Sequence, residues 1–109
     1  PSCFKWGVVA TIYNPSLAIA RAADMAGWCL VIVADMLTPK DYIQKAGFFE
    51  GKNSTVVFFS VRDQQQWMNT TDEIGEFTHA IPFKHFARKN LGYLYAIRRG
   101  AKFILELLR

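Results

Sequence analysis

The sequence predicts an α/β domain, a parallel sheet with flanking helices. Three observations lead there. Continuous apolar runs of strand length recur, stretches with helix-start and helix-stop residues separate them, and the two kinds of segment alternate. A strand buried on both faces reads as an unbroken apolar run. Alternating such runs with helices implies parallel strands joined by right-handed crossovers.

Trp6 to Ile12 (WGVVATI) is the first run, short and rich in β-branched residues. Asn14 then offers a helix N-cap, Pro15 suits the first helical position, and the helix is expected over 15–26. Gly27 fits the left-handed residue that closes a helix. Trp28 to Ala34 (WCLVIVA) is the clearest strand. Thr38 caps a short helix reaching Gln44 or Lys45. Gly47 and the stretch Glu50 to Ser54 make a polar connection to a third strand, Thr55 to Val61. Asp63 to Met68 suits a short helix, and the stretch from there to residue 80 reads as loop. From Phe83, apolar residues Phe86, Ala87, Leu91, Leu94 and Ile97 recur at three- and four-residue spacing, which predicts a helix over 83–99. Gly92 lets that helix approach the sheet closely, and Gly100 ends it. Lys102 to Leu107 is the fourth strand, expected to be buried.

A chain of 109 residues is one domain at most. It starts at Pro1, not Met, and is expected to be a piece of a longer chain, with any membrane anchor outside it. Hydrophobic content of 51% excludes disorder, and no apolar run is long enough to span a membrane. The net charge of +4 is unevenly placed. Residues 1–76 carry six Lys/Arg against eight Asp/Glu, a balance of −2, whereas residues 77–109 carry seven against Glu106 alone, a balance of +6. Such polarity fits an anionic partner or a solvated basic helix face. Cys3 and Cys29 are too few for a disulfide framework and lack zinc spacing, so Cys29 is expected as a buried thiol. Asn53-Ser54-Thr55 and Asn69-Thr70-Thr71 are glycosylation sequons that permit, without requiring, a secretory lumen.

In open parallel sheets ligands bind beyond the carboxyl ends of the strands, which singles out Thr11 to Asn14 and Asp35. The Asp35 carboxylate can accept from a ribose hydroxyl or a base N–H; it fits equally well as a turn residue before Thr38. Arg88 and Lys89 offer the positive charge a pyrophosphate needs, and Asn90 can fix a diphosphate or a neighbouring loop. Each also reads as part of a basic surface. His79 and His85 have no Asp or Glu at metal spacing and read as ordinary loop and helix residues. Phosphate-binding loop, dinucleotide and nucleophile-elbow motifs are absent from the sequence. The basic helix and a pI near 9.3 also fit nucleic acid. Against that, its aromatics follow the core stripe, Tyr93 and Tyr95 being the possible exceptions for base stacking.

The segments KWGVVATIYNP, GW-x-LVIVAD-x-x-TPKDY and RKNLGYLYAIRRGAKFI resemble the STELLO family of Golgi-associated, glycosyltransferase-type proteins. Lys5, Trp6, Val8, Val9, Gly27, Trp28, Thr38 to Tyr42, Lys89, Gly92 to Leu94, Ala96, Ile97, Gly100 and Ala101 carry the resemblance. A looser similarity extends to the reversibly glycosylated polypeptides, which are UDP-sugar mutases. The resemblance implies a GT-A-like, Rossmann-like fold, with residues 1–109 as the incomplete N-terminal part of a larger nucleotide-sugar transferase domain in the Golgi or secretory pathway. It implies a UDP-sugar partner, with Thr11, Tyr13, Asn14 and Asp35 facing the nucleoside and Lys89 and Asn90 the diphosphate. A non-catalytic scaffold of the secretory pathway is the alternative, with nucleic acid not favoured.

The family's acidic metal-binding cluster is expected close after Ile104. This sequence has Leu105-Glu106-Leu107-Leu108-Arg109 there, with one acid and no Asp. No catalytic or metal-ligating residue is therefore assigned. A divalent cation, Mn or Mg, is expected only where a downstream acidic cluster is present. These 109 residues alone are expected not to catalyse metal-dependent sugar transfer.

Overall fold

The apolar runs assemble as expected. The structure is a computed structural model, and it describes residues 3–42, 44, 55–70, 72–81, 83 and 86–107. Its strands are β1 (Lys5–Thr11), β2 (Trp28–Ala34), β3 (Thr55–Phe59) and β4 (Phe103–Glu106). They form one parallel sheet in the order β3-β2-β1-β4. Helices α1 (Leu17–Ala23), α2 (Val61–Met68), α3 (Glu73–Ala80) and α4 (Lys89–Arg98) flank it, with a 3-10 turn at Phe86–Arg88. Two connections run outward from β1 and the next crosses back to its other side, the order of a Rossmann-like half-sheet.

Alternation along the strands sends side chains to two cores. Trp6, Val8, Val31, Val33 and Phe59 pack on one face with Leu91 and Ala96 of α4. Val9, Leu30, Ile32 and Tyr42 pack on the other with Ile19 and Ala23 of α1. Helix α4 lies against β1 and β2 because position 92 has no side chain. A Cβ there would sit 2.5 Å from Val8 Cγ1 and 2.7 Å from Val33 Cγ2. Gly100 closes α4 with φ of 85°, whereas α1 ends earlier than expected at the Asp24 cap, and Gly27, with φ of 84°, stands in the turn from Met25 to Trp28 that leads into β2.

Several boundaries differ from expectation, each for a local reason. The cap of α1 is Ser16, whose hydroxyl accepts from the Ile19 N–H, so Asn14 and Pro15 stay in the connection. Ser60 caps α2 by accepting from the Asp63 N–H, which ends β3 at Phe59 instead of Val61. The expected loop after Met68 contains α3, begun by Asp72, which accepts from the N–H groups of Ile74 and Gly75. Those bonds, with one from the Thr70 hydroxyl, hold the Asp72 carboxyl below its ordinary range, the Thr70 bond most of all. Lys89 and Asn90 open α4 instead of lying mid-helix, because the first turn of the expected helix is the 3-10 turn. Tyr42 and Gln44 are helical, whereas Ile43, Lys45, Gly47, Glu50 to Ser54, Lys84 and His85 lie outside the described residues.

Two expectations are overturned. The fourth strand is exposed throughout, because it lies at the sheet edge with β1 as its one strand neighbour among the described residues. Cys29 is buried but is not a thiol. It is bonded to Cys3, their Cα atoms 6.0 Å apart, because Cys3 precedes β1 and Cys29 lies on the strand beside it.

Candidate functional site

The carboxyl ends of β1 and β2 are knitted together by one threonine. The Thr38 hydroxyl accepts from the Asp35 N–H at 2.8 Å and donates to the Thr11 carbonyl, so it bridges the two strand tips across 27 residues of sequence. Thr11, Asp35 and Thr38 are all buried. Thr11 Oγ1 accepts from the Tyr13 N–H at 3.0 Å, and Asp35 Oδ1 accepts from the Met36 N–H at 2.7 Å. These turns fix the backbone and leave Tyr13 and Asn14 exposed above it.

Beside this tip lies a buried cation. Arg88 is 1% exposed; its Nη1 donates to the Ile81 carbonyl at 2.7 Å and its Nη2 to Gln64 Oε1. Gln64 is fully buried, and its Nε2 donates to the carbonyls of Ala34 at 2.7 Å and Phe59 at 2.8 Å. One amide therefore closes the last carbonyls of β2 and β3 and passes the network on to Arg88. The guanidinium stacks over the Phe83 ring at 3.9 Å. Burial lowers the Arg88 pKa, and the charge of Asp35 opposes that shift. Arg88 thus stands close enough to Asp35 to act on it electrostatically, with Nη1 and Nη2 bonded to the protein and the buried Nε lacking a hydrogen-bond partner among the described residues.

Lys89 begins α4 at the same end of the sheet. Its Nζ lies 2.5 Å from Glu106 Oε1 on β4, and that oxygen also accepts from the Tyr93 hydroxyl at 2.5 Å. Together these bonds hold the Glu106 carboxyl below its ordinary range, the Lys89 bond foremost. Burial, aided by Glu106, pushes the Tyr93 phenol up to about 12. Asn90 is exposed in the first turn of α4.

The structure thus brings Thr11, Tyr13, Asn14, Asp35, Arg88, Lys89 and Asn90 to one end of the sheet. It does not bring the rest of the basic third with them. Arg98, Arg99 and Lys102 are exposed at the opposite end, where Lys102 donates its N–H to the Phe4 carbonyl ahead of β1. Arg99 stacks on Tyr95 at 3.7 Å, and cations suit the C-terminal end of a helix. Tyr95 packs among Trp6, Phe59 and Trp67. Gln64 was not legible as a site residue, since a run of three glutamines gives no sign of which one turns inward. Thr38, read as a helix cap, carries the bridge as well; the helix it was expected to cap lies partly outside the described residues.

The fold defines a Rossmann-like α/β domain, a four-stranded parallel sheet flanked by helices. In sequence it is similar to two proteins of Arabidopsis thaliana. It is 30% identical over 102 residues to "Probable glycosyltransferase STELLO2" and 29% identical over 103 residues to "Probable glycosyltransferase STELLO1", in each case over 94% of this chain. The chain is STELLO-like across nearly its whole length, as its motifs indicate. It spans 11% of the length of these two relatives. No protein-family model matches it.

Proposed function

We propose that this chain is the nucleotide-sugar-binding portion of a glycosyltransferase-like protein of the secretory pathway, with a UDP-sugar as ligand. The observation that carries the reading is the Thr38 bridge. It presents Thr11, Tyr13, Asn14 and Asp35 on a fixed platform at the carboxyl ends of β1 and β2, where ligands of such sheets bind. The names of the two STELLO relatives support the class of activity. The Cys3–Cys29 disulfide supports an oxidising compartment such as the secretory lumen.

In this reading Asp35 accepts from the ribose hydroxyls or the base N–H, and Tyr13 and Asn14 close over the nucleoside. Arg88 acts as a positioning residue, holding Gln64 and through it the ends of β2 and β3. Asn90 and Lys89, the latter exchanging its bond to Glu106 for a phosphate oxygen, face the diphosphate. A divalent cation, where one is bound, would supply neutralisation of the charge developing on the leaving group. The described residues do not fit one. They gather no group of three His, Cys, Asp or Glu side chains, and the Glu106 oxygen that could serve already holds an ammonium and a phenol. No step is derived through a metal.

That commitment of Glu106 favours, as a second reading, a scaffold that binds without turnover. The nucleic-acid reading has less support, because Tyr93 and Tyr95 are held by Glu106 and the aromatic core. Titration calorimetry with UDP-sugars and an unrelated oligonucleotide separates the three. The expected result is saturable UDP-sugar binding, with manganese-stimulated hydrolysis absent. Salt-sensitive oligonucleotide binding without UDP-sugar binding would overturn the proposal, and no binding to either would leave the scaffold.

A further inference from the structure

The sequon Asn69-Thr70-Thr71 carries its asparagine on the surface, at the end of the domain away from the strand tips. Helix α2 leaves the carboxyl end of β3 at its Ser60 cap and runs back along the sheet. By Trp67 it has reached the far end of α4: the Trp67 ring stacks on Tyr95 at 6.1 Å, and the Arg98 guanidinium lies 6.0 Å from it. Asn69, the C-cap, follows two residues later. Its backbone is fixed, because its N–H donates to the Gln66 and Trp67 carbonyls. The turn is held further by the Thr70 hydroxyl, shared between the Trp67 carbonyl and Asp72 Oδ1, each at 2.8 Å. The exposed side-chain amide of Asn69 makes no hydrogen bond among the described residues. It can therefore be substituted without breaking a bond of the turn. Other asparagines lack this combination. Asn14 is followed by Pro15, which blocks the motif, and Asn90 has Gly92 where the hydroxyl residue is needed. Asn53 lies outside the described residues, and Thr55 of its sequon already belongs to β3.

We propose that Asn69 is an N-glycosylation site, occupied by an oligosaccharide in the lumen of the secretory pathway. The inference rests on the secretory placement in the proposed function and not on what the strand tips bind. The glycan donor is a lipid-diphosphate-linked oligosaccharide, and the catalyst is the host's oligosaccharide transferase, which reads the hydroxyl of Thr71. Asn69 Nδ2 attacks the anomeric carbon of the donor. A carbon–nitrogen bond forms, the bond from that carbon to the diphosphate oxygen breaks, and the lipid diphosphate leaves with the electron pair. Nδ2 gives up one proton to a base of the transferase. The Cys3–Cys29 bond belongs to the same oxidising compartment, so two modifications of one lumen meet in this chain. The glycan is bulky and hydrated and needs a surface position. At Asn69 it stands in solvent beside the end of α2 and leaves Thr11 and Asp35 uncovered.

Peptide mapping of the chain expressed in cultured eukaryotic cells behind a cleavable signal sequence tests this directly. Molecules from which the signal has been removed have reached the lumen, and only these are mapped. Peptide N-glycosidase in heavy-oxygen water converts an occupied asparagine to a heavy-labelled aspartate, and that label is expected at Asn69. Asn69→Gln and Thr71→Ala should each abolish it, whereas Thr71→Ser keeps the hydroxyl and should retain it. Mapping without reduction should find the Cys3–Cys29 bond in the same proportion of glycosylated molecules as of Asn69→Gln molecules. An unmodified Asn69 in signal-cleaved chains would overturn the proposal. So would a disulfide confined to the unglycosylated molecules, since the glycan would then be incompatible with the fold. The signal sequence supplies access to the lumen, so a failure here is separate from a failure of the secretory placement, and UDP-sugar calorimetry tests the strand tips independently.

Discussion

Strands β2 and β4 are both short, apolar and parallel to β1, yet they live in different surroundings. β2 is flanked by β1 and β3 and covered on both faces, and Cys29 to Ala34 are all buried. β4 has β1 on one side, and each of its four residues is exposed. Apolar character therefore does not decide burial; position in the strand order does. Side chains at an edge keep part of their surface in water, and the free energy of burial scales with the apolar area removed from it.

The sharpest way to test that contrast is to truncate the same residue in both strands. Ile32 is fully buried and Ile104 is 37% exposed. Ile32→Ala should cost about 2–5 kcal/mol in chemical denaturation, the range for a core cavity. Ile104→Ala, measured at dilution, should cost less than about 1 kcal/mol. Equal losses would show that β4 is packed as tightly as β2.

Next in size is the Cys3–Cys29 bond, which ties the entrance of β1 to β2 and spares β4. Closing a loop with a sequence separation of 26 residues is worth about 3.5 kcal/mol in the chain-entropy view. Replacing both cysteines with serine should lower unfolding stability by about that amount, without altering the secondary structure seen by circular dichroism. An unchanged stability would mean that the bond does not form in solution.

The alternating apolar runs made the sheet legible in the sequence, together with the close approach at Gly92 and the left-handed closure of α4 at Gly100. Strand order was not legible, so the exposure of β4 was missed: Phe103-Ile104-Leu105 reads the same whether covered or open. The helix α3 was missed because Gly75 and Thr78, poor helix formers, interrupt the short segment Glu73 to Ala80, and its start depends on the Asp72 cap. The candidate site was half legible. Asp35 and Thr11 follow from strand ends. The partners of Arg88 and Lys89, by contrast, lie 24 and 17 residues away in sequence, at Gln64 and Glu106, and no local pattern announces them. The charge asymmetry was real but misleading as a map, since Arg98, Arg99 and Lys102 stand at the opposite end of the sheet.

A smaller effect concerns how α4 holds the edge strand. The Glu106 carboxyl sits below its ordinary value of about 4.5 because Lys89 and then Tyr93 bond to it. A depressed folded-state pKa gives stability that is present above the ordinary value and lost as pH falls through the lowered one. Acid titration followed by circular dichroism should therefore show a shallower loss below about pH 4.5 for Glu106→Gln than for the parent chain. An identical acid limb would mean that the pair contributes nothing to holding β4.

Under the proposed function the tips of β1 and β2, and not the basic end of the domain, receive the nucleotide sugar. Nuclear magnetic resonance of the labelled chain, titrated with a UDP-sugar, tests it most directly. Saturable shifts are expected at Thr11, Tyr13, Asn14 and Asp35, and Asp35→Asn should weaken binding about tenfold, the loss of one charge-assisted hydrogen bond. Shifts confined to Arg98, Arg99 and Lys102, unaffected by Asp35→Asn, would contradict it.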